Sequence, residues 1–487
     1  MDSPNLSETI VQELGEQFVQ ALRQAGPTLV ATDLDGMEQQ VQELGRRVFG
    51  RVVEQTVAAV AAAQPLSPPP CPQCQAPMHL VEPARARHLQ GLVGEYRLER
   101  AYWHCSPCHQ GAAPLDAALG IGPGALSPGL ARVACRVGLE EAFAPAAAIL
   151  YETLRVDVPD EGVRRITEGI GQVAEAEQQA ALAAAQAAQE PPAPEVAPAQ
   201  LLVAVDGVTV HTEGDWHEMK VGVVAPLGPE TWTDPETGRV CQVPGPQSLC
   251  AGLESAALFW WRVYCEARRR GLGAAPVGLI VVLGDGADWI WKSAARFLHV
   301  GGAELVEIVD IYHAWEHLWQ VAHAVYGTGS DAAAWVGPLK ARLLDEGVPP
   351  VLAALSALPP PGAEAAEEVR KATAYFTEHA ARMDYPTFLA RQLPIGSGVV
   401  ESANKTLITA REKGAGMRWS GPGAQAVASL RALQRSKSLK TPVSRTTRCS
   451  SMAASAWARR TSCRPSATRS PTGGRRHASV TSTPSST

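Results

Sequence analysis

A mixed-sheet α/β fold is what this sequence predicts, and three observations predict it. Short apolar runs at 201–210, 277–286 and 303–310 lack polar alternation, as strands buried on both faces do. From residue 200 onward strands come first, and then strand and helix text alternate. The chain has 487 residues, 46% of them hydrophobic, which suffices for two to four packed domains.

Taken in order, residues 1–63 read as an N-terminal helical region. Apolar residues recur at helical spacing through "ETIVQELGEQFVQALRQ" and "MEQQVQELGRRVFGRVVEQTVAAVAAA". A packed helix pair and a dimerisation element both fit. "QPLSPPP" ends it. Residues 64–115 form a compact module that runs from "CPQC" to "YWHCSPC" through the β-rich "GLVGEYRLERAYWHC". Residues 116–189 return to helix; "VRRITEG" within them fits a helix-turn-helix and makes this region a candidate DNA-binding unit. An Ala/Gln helix then decays into a Pro-rich linker at 190–199.

Residues 200–435 carry the α/β pattern. Strands are expected at "LLVAVDGVTV", "HEMKVGVVAPL", "VGLIVVLGDG" and "AELVEIVD", and helices at "ESAALFWWRVYCEARRRG", "ADWIWKSAARFL" and "IYHAWEHLWQVAHAVYG". A helical insertion occupies about 331–391. Residues 436–487 differ from everything before them. They hold 22 Ser or Thr and ten Lys or Arg but no Asp or Glu, with no apolar period, so a disordered, frame-shifted tail is expected.

The net charge of −6 hides a split. Without the tail the chain stands at −16, so contact with DNA must use local basic patches. No run of 18 apolar residues and no basic-then-apolar start appears, which predicts a soluble, cytoplasmic protein with no membrane contact.

Ten cysteines include two Cys-x-x-Cys pairs, Cys71/Cys74 and Cys105/Cys108. Two tight knuckles joined by a β-hairpin bring four thiolates together, the zinc-ribbon-like pattern of a closed, structural Zn²⁺ site. His79, His104 and His109 lie close enough in sequence to substitute for one of the four.

A second constellation is acidic. Asp206 and Asp285 each end an apolar strand, and Glu401 follows a Gly-Ser-Gly turn in "LPIGSGVVESANKTLITAREKGAGMRWS". Polar chemistry in open α/β sheets gathers at strand ends. Carboxylates converging from two strands and a helix suit two Mg²⁺ (or Mn²⁺) ions that clamp the oxygens of a phosphoryl transfer. Asp288, Asp310 and Glu316 compete for the acidic role. His313 is placed beside the carboxylates, and Lys405, Arg411, Lys413 and Arg418 are placed on DNA phosphates. Trp419 is a core residue or a base-stacking one.

The blocks "AVDGV", "HEMKVGVV", "GDGADWIW", "DIYHAWEHL" and the Leu393–Ser420 stretch resemble the transposases of ISKra-type bacterial insertion sequences, relatives of the Mutator-like enzymes. "CPQC…YWHCSPC" and the following "PLDAALGI" resemble that family's N-terminal half, so the likeness spans about 65–435. It implies a DDE transposase with a ribonuclease-H-like catalytic domain, with Asp206, Asp285 and Glu401 as the catalytic acids and His313 as a functional histidine. It further implies that the partners are double-stranded DNA, both transposon ends and target, and a second copy of the chain or a higher oligomer. A ribonuclease-H-like nuclease or resolvase, or an inactive zinc-containing DNA-binding protein, are the alternatives. The family-like text stops near residue 436, where the family continues as an acid-containing helix.

Overall fold

A computed structural model describes residues 8–30, 33–63, 66–187, 198–359 and 361–436. Most of the expected linker at 190–199, and all of the expected frame-shifted tail except Ser436, lie outside the described residues.

Two helices, Glu8–Val30 and Leu34–Ala62, form the N-terminal region. Asp33 caps the second, accepting from Gly36 N at 2.9 Å. That helix packs Val53 and Val57 on Leu89, Tyr96 and Leu98 of a three-stranded antiparallel sheet. The sheet consists of β1 (His79–Gly91), β2 (Gly94–Cys105) and β3 (Gln110–Ala112) in that order.

Helices Pro128–Glu140, Phe143–Leu154 and Asp160–Gln186 follow. Ser127 caps the first of these, its hydroxyl accepting from Leu130 N at 3.2 Å, with Pro128 in the first turn. Leu130, Ala134, Ala146, Leu150 and Val163 make a small core among them. The "VRRITEG" segment lies inside the unbroken helix Asp160–Gln186. Ile170 and Ala174 of that helix belong to the main core. Gly171 lies so close to helix Gly421–Arg435 that a Cβ there would meet the Ala426 carbonyl oxygen. Arg262, 3% exposed, pairs with Glu175 and Glu254 and ties the same helix to Ala256–Arg269. The linker therefore separates these helices from the α/β unit in sequence but not in space.

The main sheet is mixed, as expected. Its strands are β4 (Gln200–Thr212), β5 (Asp215–Thr233), β6 (Val240–Pro244), β7 (Ser248–Gly252), β8 (Leu279–Gly284) and β9 (Glu304–Val309). The order is β6-β5-β4-β8-β9, with β7 also on β5. β4 and β5 are antiparallel; β4, β8 and β9 are parallel. Leu201–Val205 and Ile280–Leu283 are fully buried, which is why their text is unbroken apolar. β6 and β7 were not expected. They are five residues each and are separated by "GPQ" text that reads as loop.

Helices Ala256–Arg269, Asp288–Leu298 and Ile311–Tyr326 occur where expected. The insertion is helical throughout its regular elements: Ser330–Glu346, Pro349–Ala357, Ala363–Glu378, the short Ala380–Met383 turn and Tyr385–Ala390. The last segment runs as an α-helix over Gly398–Ala403, a π-helix over Asn404–Thr409 and α again over Ala410–Glu412, before the helix Gly421–Arg435. No helix among the described residues is long and apolar enough to cross a membrane.

Candidate metal centre and carboxylate site

The four cysteines converge. The ligand atoms of Cys71, Cys74, Cys105 and Cys108 all lie within 4.8 Å of one another, so the group could hold a metal ion such as zinc. Cys74 Sγ and Cys105 Sγ are 3.6 Å apart. A tetrahedral set with Zn–S bonds of about 2.3 Å spaces its sulfurs by about 3.7 Å.

Both knuckles are built alike. Cys71 N donates to Ala76 O at 2.8 Å, and Gln75 N to Cys71 O at 2.9 Å. Cys105 ends β2, and its pairing with Gln110 turns the chain into β3. The residue after each second cysteine, Gln75 (φ 61°) and His109 (φ 52°), is left-handed. The N–H of Cys74 holds the Cys71 thiol down to about 7, whereas the neighbouring Cys74 sulfur, with burial, pushes Cys108 up to about 12. Four thiols this close cannot all ionise without a cation among them. His79, His104 and His109 form a loose ring row, with centroids 5.4 and 6.2 Å apart, and are not part of the four-sulfur set.

The acidic residues also gather. The β4–β8 ladder pairs Ala204 with Leu283, and β8–β9 pairs Gly284 with Val309. Continuing each register sets Asp206, Asp285 and Asp310 level with one another; Asp285 and Asp310 follow the ends of β8 and β9, but Asp206, expected to end its strand, stands in the middle of β4, which runs on to Thr212 paired with β5. Asp206 Oδ1 accepts from Gly207 N at 2.7 Å, and Asp285 Oδ1 from Ala287 N at 2.9 Å. Burial pushes Asp206 up to about 6, and the Asp285 and Glu401 carboxylates add to the push while His313 opposes it.

Asp310 plays a different part. It is 3% exposed and caps helix Ile311–Tyr326 through Tyr312 N at 3.0 Å. Its other oxygen accepts from Ser397 Oγ at 2.6 Å, and burial pushes it up to about 6. The Ser397 hydroxyl also lies 3.3 Å from Glu401 Oε1. Glu316 pairs with His313 at 3.3 Å, and Asp288 pairs with Lys292 on the exposed side of its helix. His317 packs its ring 3.9 Å from that of Tyr375, and burial holds it down to about 4.

Asn404 was not anticipated. Its Nδ2 donates to Asp206 Oδ2 at 2.5 Å, and its Oδ1 is buried without a partner. It stands three residues beyond Glu401, one helical turn on, a spacing that could have flagged it.

One expected DNA contact is corrected, and of the two readings of Trp419 the core one holds. Arg411 is 1% exposed: its guanidinium donates to Gly138 O at 3.0 Å and lies over the rings of Phe143 and Trp419. Trp419, 8% exposed, donates to Glu412 O at 3.2 Å and belongs to the core. An arginine between two aromatic faces is worth more inside than on a solvated helix. Lys405, Lys413 and Arg418 are exposed.

Among the described residues, the four cysteines are the only set of three or more potential ligands closed to within 4.8 Å; the carboxylates stand further apart as a set. The chain matches no protein-family model, and no curated protein matches it.

Proposed function

We propose that this chain is a DNA transposase that cleaves strands at transposon ends and transfers them to target DNA. The observation that carries the reading is geometric: strand register sets Asp206 level with Asp285, and the segment bearing Glu401 reaches the same place, its Asn404 Nδ2 donating to Asp206 Oδ2 at 2.5 Å. The sheet supports it as well. An antiparallel hairpin, β4–β5, followed by parallel crossover strands β8 and β9, is the arrangement expected of a ribonuclease-H-like core.

The donor set fits divalent cations. Three carboxylates and the unpartnered Asn404 Oδ1 are hard oxygen ligands, and repulsion among the acids favours a cation between them. Asp206, Asp285 and Glu401 would hold Mg²⁺ or Mn²⁺. Such ions, when bound, lower the pKa of water and stabilise charge on phosphoryl oxygens. The protein's own residues do the rest. Asn404 and Gly207 N fix the two Asp206 oxygens, Ser397 orients Glu401, and His313 supplies an imidazole at the half-exposed mouth. Lys405, Lys413 and Arg418, exposed in the segment that follows Glu401, would meet phosphates. Work on two DNA ends calls for at least two copies of the chain. The four-cysteine site would carry structural zinc, with no open position for chemistry.

The test uses the full chain, Mg²⁺ and duplex DNA carrying the inverted repeats that flank the gene. Wild type should release 3′-hydroxyl ends only with metal. Asp285→Asn should lose cleavage by at least a hundredfold yet bind the same DNA within about twofold. Absence of metal-dependent cleavage by wild type overturns the reading in favour of a zinc-containing DNA-binding protein, and undiminished cleavage by the variant removes Asp285 from the catalytic acids.

A further inference from the structure

The loop that carries Asp285 is held from outside the sheet. β8 ends at Gly284, and the ladder to β9 ends with it, so the main chain of Asp285 has left the sheet. Its carbonyl accepts from Tyr375 Oη at 3.0 Å, ninety residues further along. Tyr375 is on helix Ala363–Glu378, in the helical insertion.

The fit around this bond is close. Gly286 has φ +105°, a region that side-chain-bearing residues avoid, and a Cβ there would lie 2.7 Å from Tyr375 Cε2. The tyrosine ring is held on two sides. His317 lies 3.9 Å away at 30° and His379 4.9 Å away at 68°. His379 is 3% exposed and next to Trp291, which anchors the helix that follows the Asp285 loop. Tyr375 thus touches the main chain of one acidic residue through its hydroxyl, and the helix bearing His313 through its ring.

From this geometry we infer that Tyr375 is a positioning residue for Asp285, and that the helical insertion sets the placement of the second acid through it. The inference rests on the function proposed above in so far as Asp285 is catalytic; the clamp itself does not. A carbonyl at a strand end with no ladder partner would be satisfied by water. Satisfying it from a side chain packed between two histidine rings instead ties the loop to the insertion. Any movement of helix Ala363–Glu378 then moves the Asp285 loop with it.

Tyr375→Phe keeps the ring stack and removes only the hydroxyl, so it tests the bond rather than the packing. Two measurements separate the clamp from the activity. Hydrogen exchange on the full chain without DNA should show the amides of 285–288 exchanging about five- to tenfold faster in the variant, the worth of one neutral hydrogen bond. Those of β9 should be unchanged. Equal exchange at 285–288 overturns the clamp, whatever the enzyme does. On cleavable DNA, the variant should need several-fold more Mg²⁺ for half-maximal rate while its DNA affinity stays within twofold. A merely structural role would lower stability without moving the Mg²⁺ requirement, and an unmoved requirement overturns the positioning role. Failure of wild type to cleave would remove the function proposed above while leaving the exchange result to decide the clamp.

Discussion

Replacing Glu412 by Gln should stabilise the protein progressively as pH rises. Glu412 is 1% exposed, and both its carboxylate oxygens are buried without a partner. Burial pushes it up to about 8, against the smaller pull of Arg431 and Arg411. In the unfolded chain a glutamate titrates near 4.3. Between those two values the unfolded chain has lost a proton that the folded chain keeps, so stability falls as pH rises, by at most about 1.4 kcal/mol per unit. The effect is absent below about pH 4 and complete above about pH 8. Over that window it amounts to something on the order of 5 kcal/mol, a large share of a typical 5–15 kcal/mol. Gln cannot ionise, though its amide still costs about 1–3 kcal/mol if left unpaired. Urea unfolding of both proteins from pH 5 to pH 9 should therefore show the variant level with or below wild type at pH 5 and above it at pH 8. Asp206 and Asp310 are also pushed up, to about 6, and add a loss of the same sign, but they are present in both proteins and cancel in the difference. A difference that does not grow with pH would show that Glu412 is ionised inside the fold, paired with Arg411 or Arg431, and would refute the reasoning.

The protein as purified should carry one zinc per chain by atomic absorption, and Cys105→Ser should lose it and unfold the β1–β3 sheet; metal retained at full stoichiometry would exclude the four-cysteine site, since structural zinc is worth about 10 kcal/mol or more. Changing Lys405, Lys413 and Arg418 together to Glu should weaken DNA binding and lower the slope of log affinity against log salt by about 0.9 for each phosphate no longer neutralised. An unchanged slope would assign them to a solvated face. Arg411→Ala, by contrast, should act on thermal stability.

What was legible in the sequence follows from which constraints are local. The strands at 200–212, 279–284 and 304–309 were visible because burial on both faces leaves unbroken apolar text. The cysteine knuckles were visible because metal spacing is itself a sequence pattern. The fate of Arg411 was not visible, and that of Trp419 stayed open between the core and a base stack. Their positions in a run of cations looked like a surface, and only the approach of Phe143 and Gly138, some 270 residues away, makes an interior of it. β6 and β7 were hidden for a similar reason: each is only five residues long beside the loop-like "GPQ", and each is a strand because it pairs with β5. The packing of Asp160–Gln186 on Gly421–Arg435 is equally non-local: the helix that contains "VRRITEG" runs on without a turn and buries its Ile170 and Ala174 in the main core.

The choice between Asp285 and Asp310 shows what the structure adds. Each ends an apolar strand, and extended register sets them level, so neither spacing nor burial of the preceding run separates them. Hydrogen bonding does. Asp310 Oδ1 accepts from Tyr312 N and Ser397 N, and Oδ2 from Ser397 Oγ, in a pocket that leaves it 3% exposed. That carboxylate is committed to a helix cap and to the Gly-Ser-Gly turn before Glu401, and freeing it would uncover several donors. Asp285 is half-buried and uses one oxygen on its own turn. It is thus the member able to face a ligand without dismantling its surroundings. Asp310 complements it from inside the fold. Through Ser397 it sets where the Glu401 helix begins, and so where the third carboxylate stands.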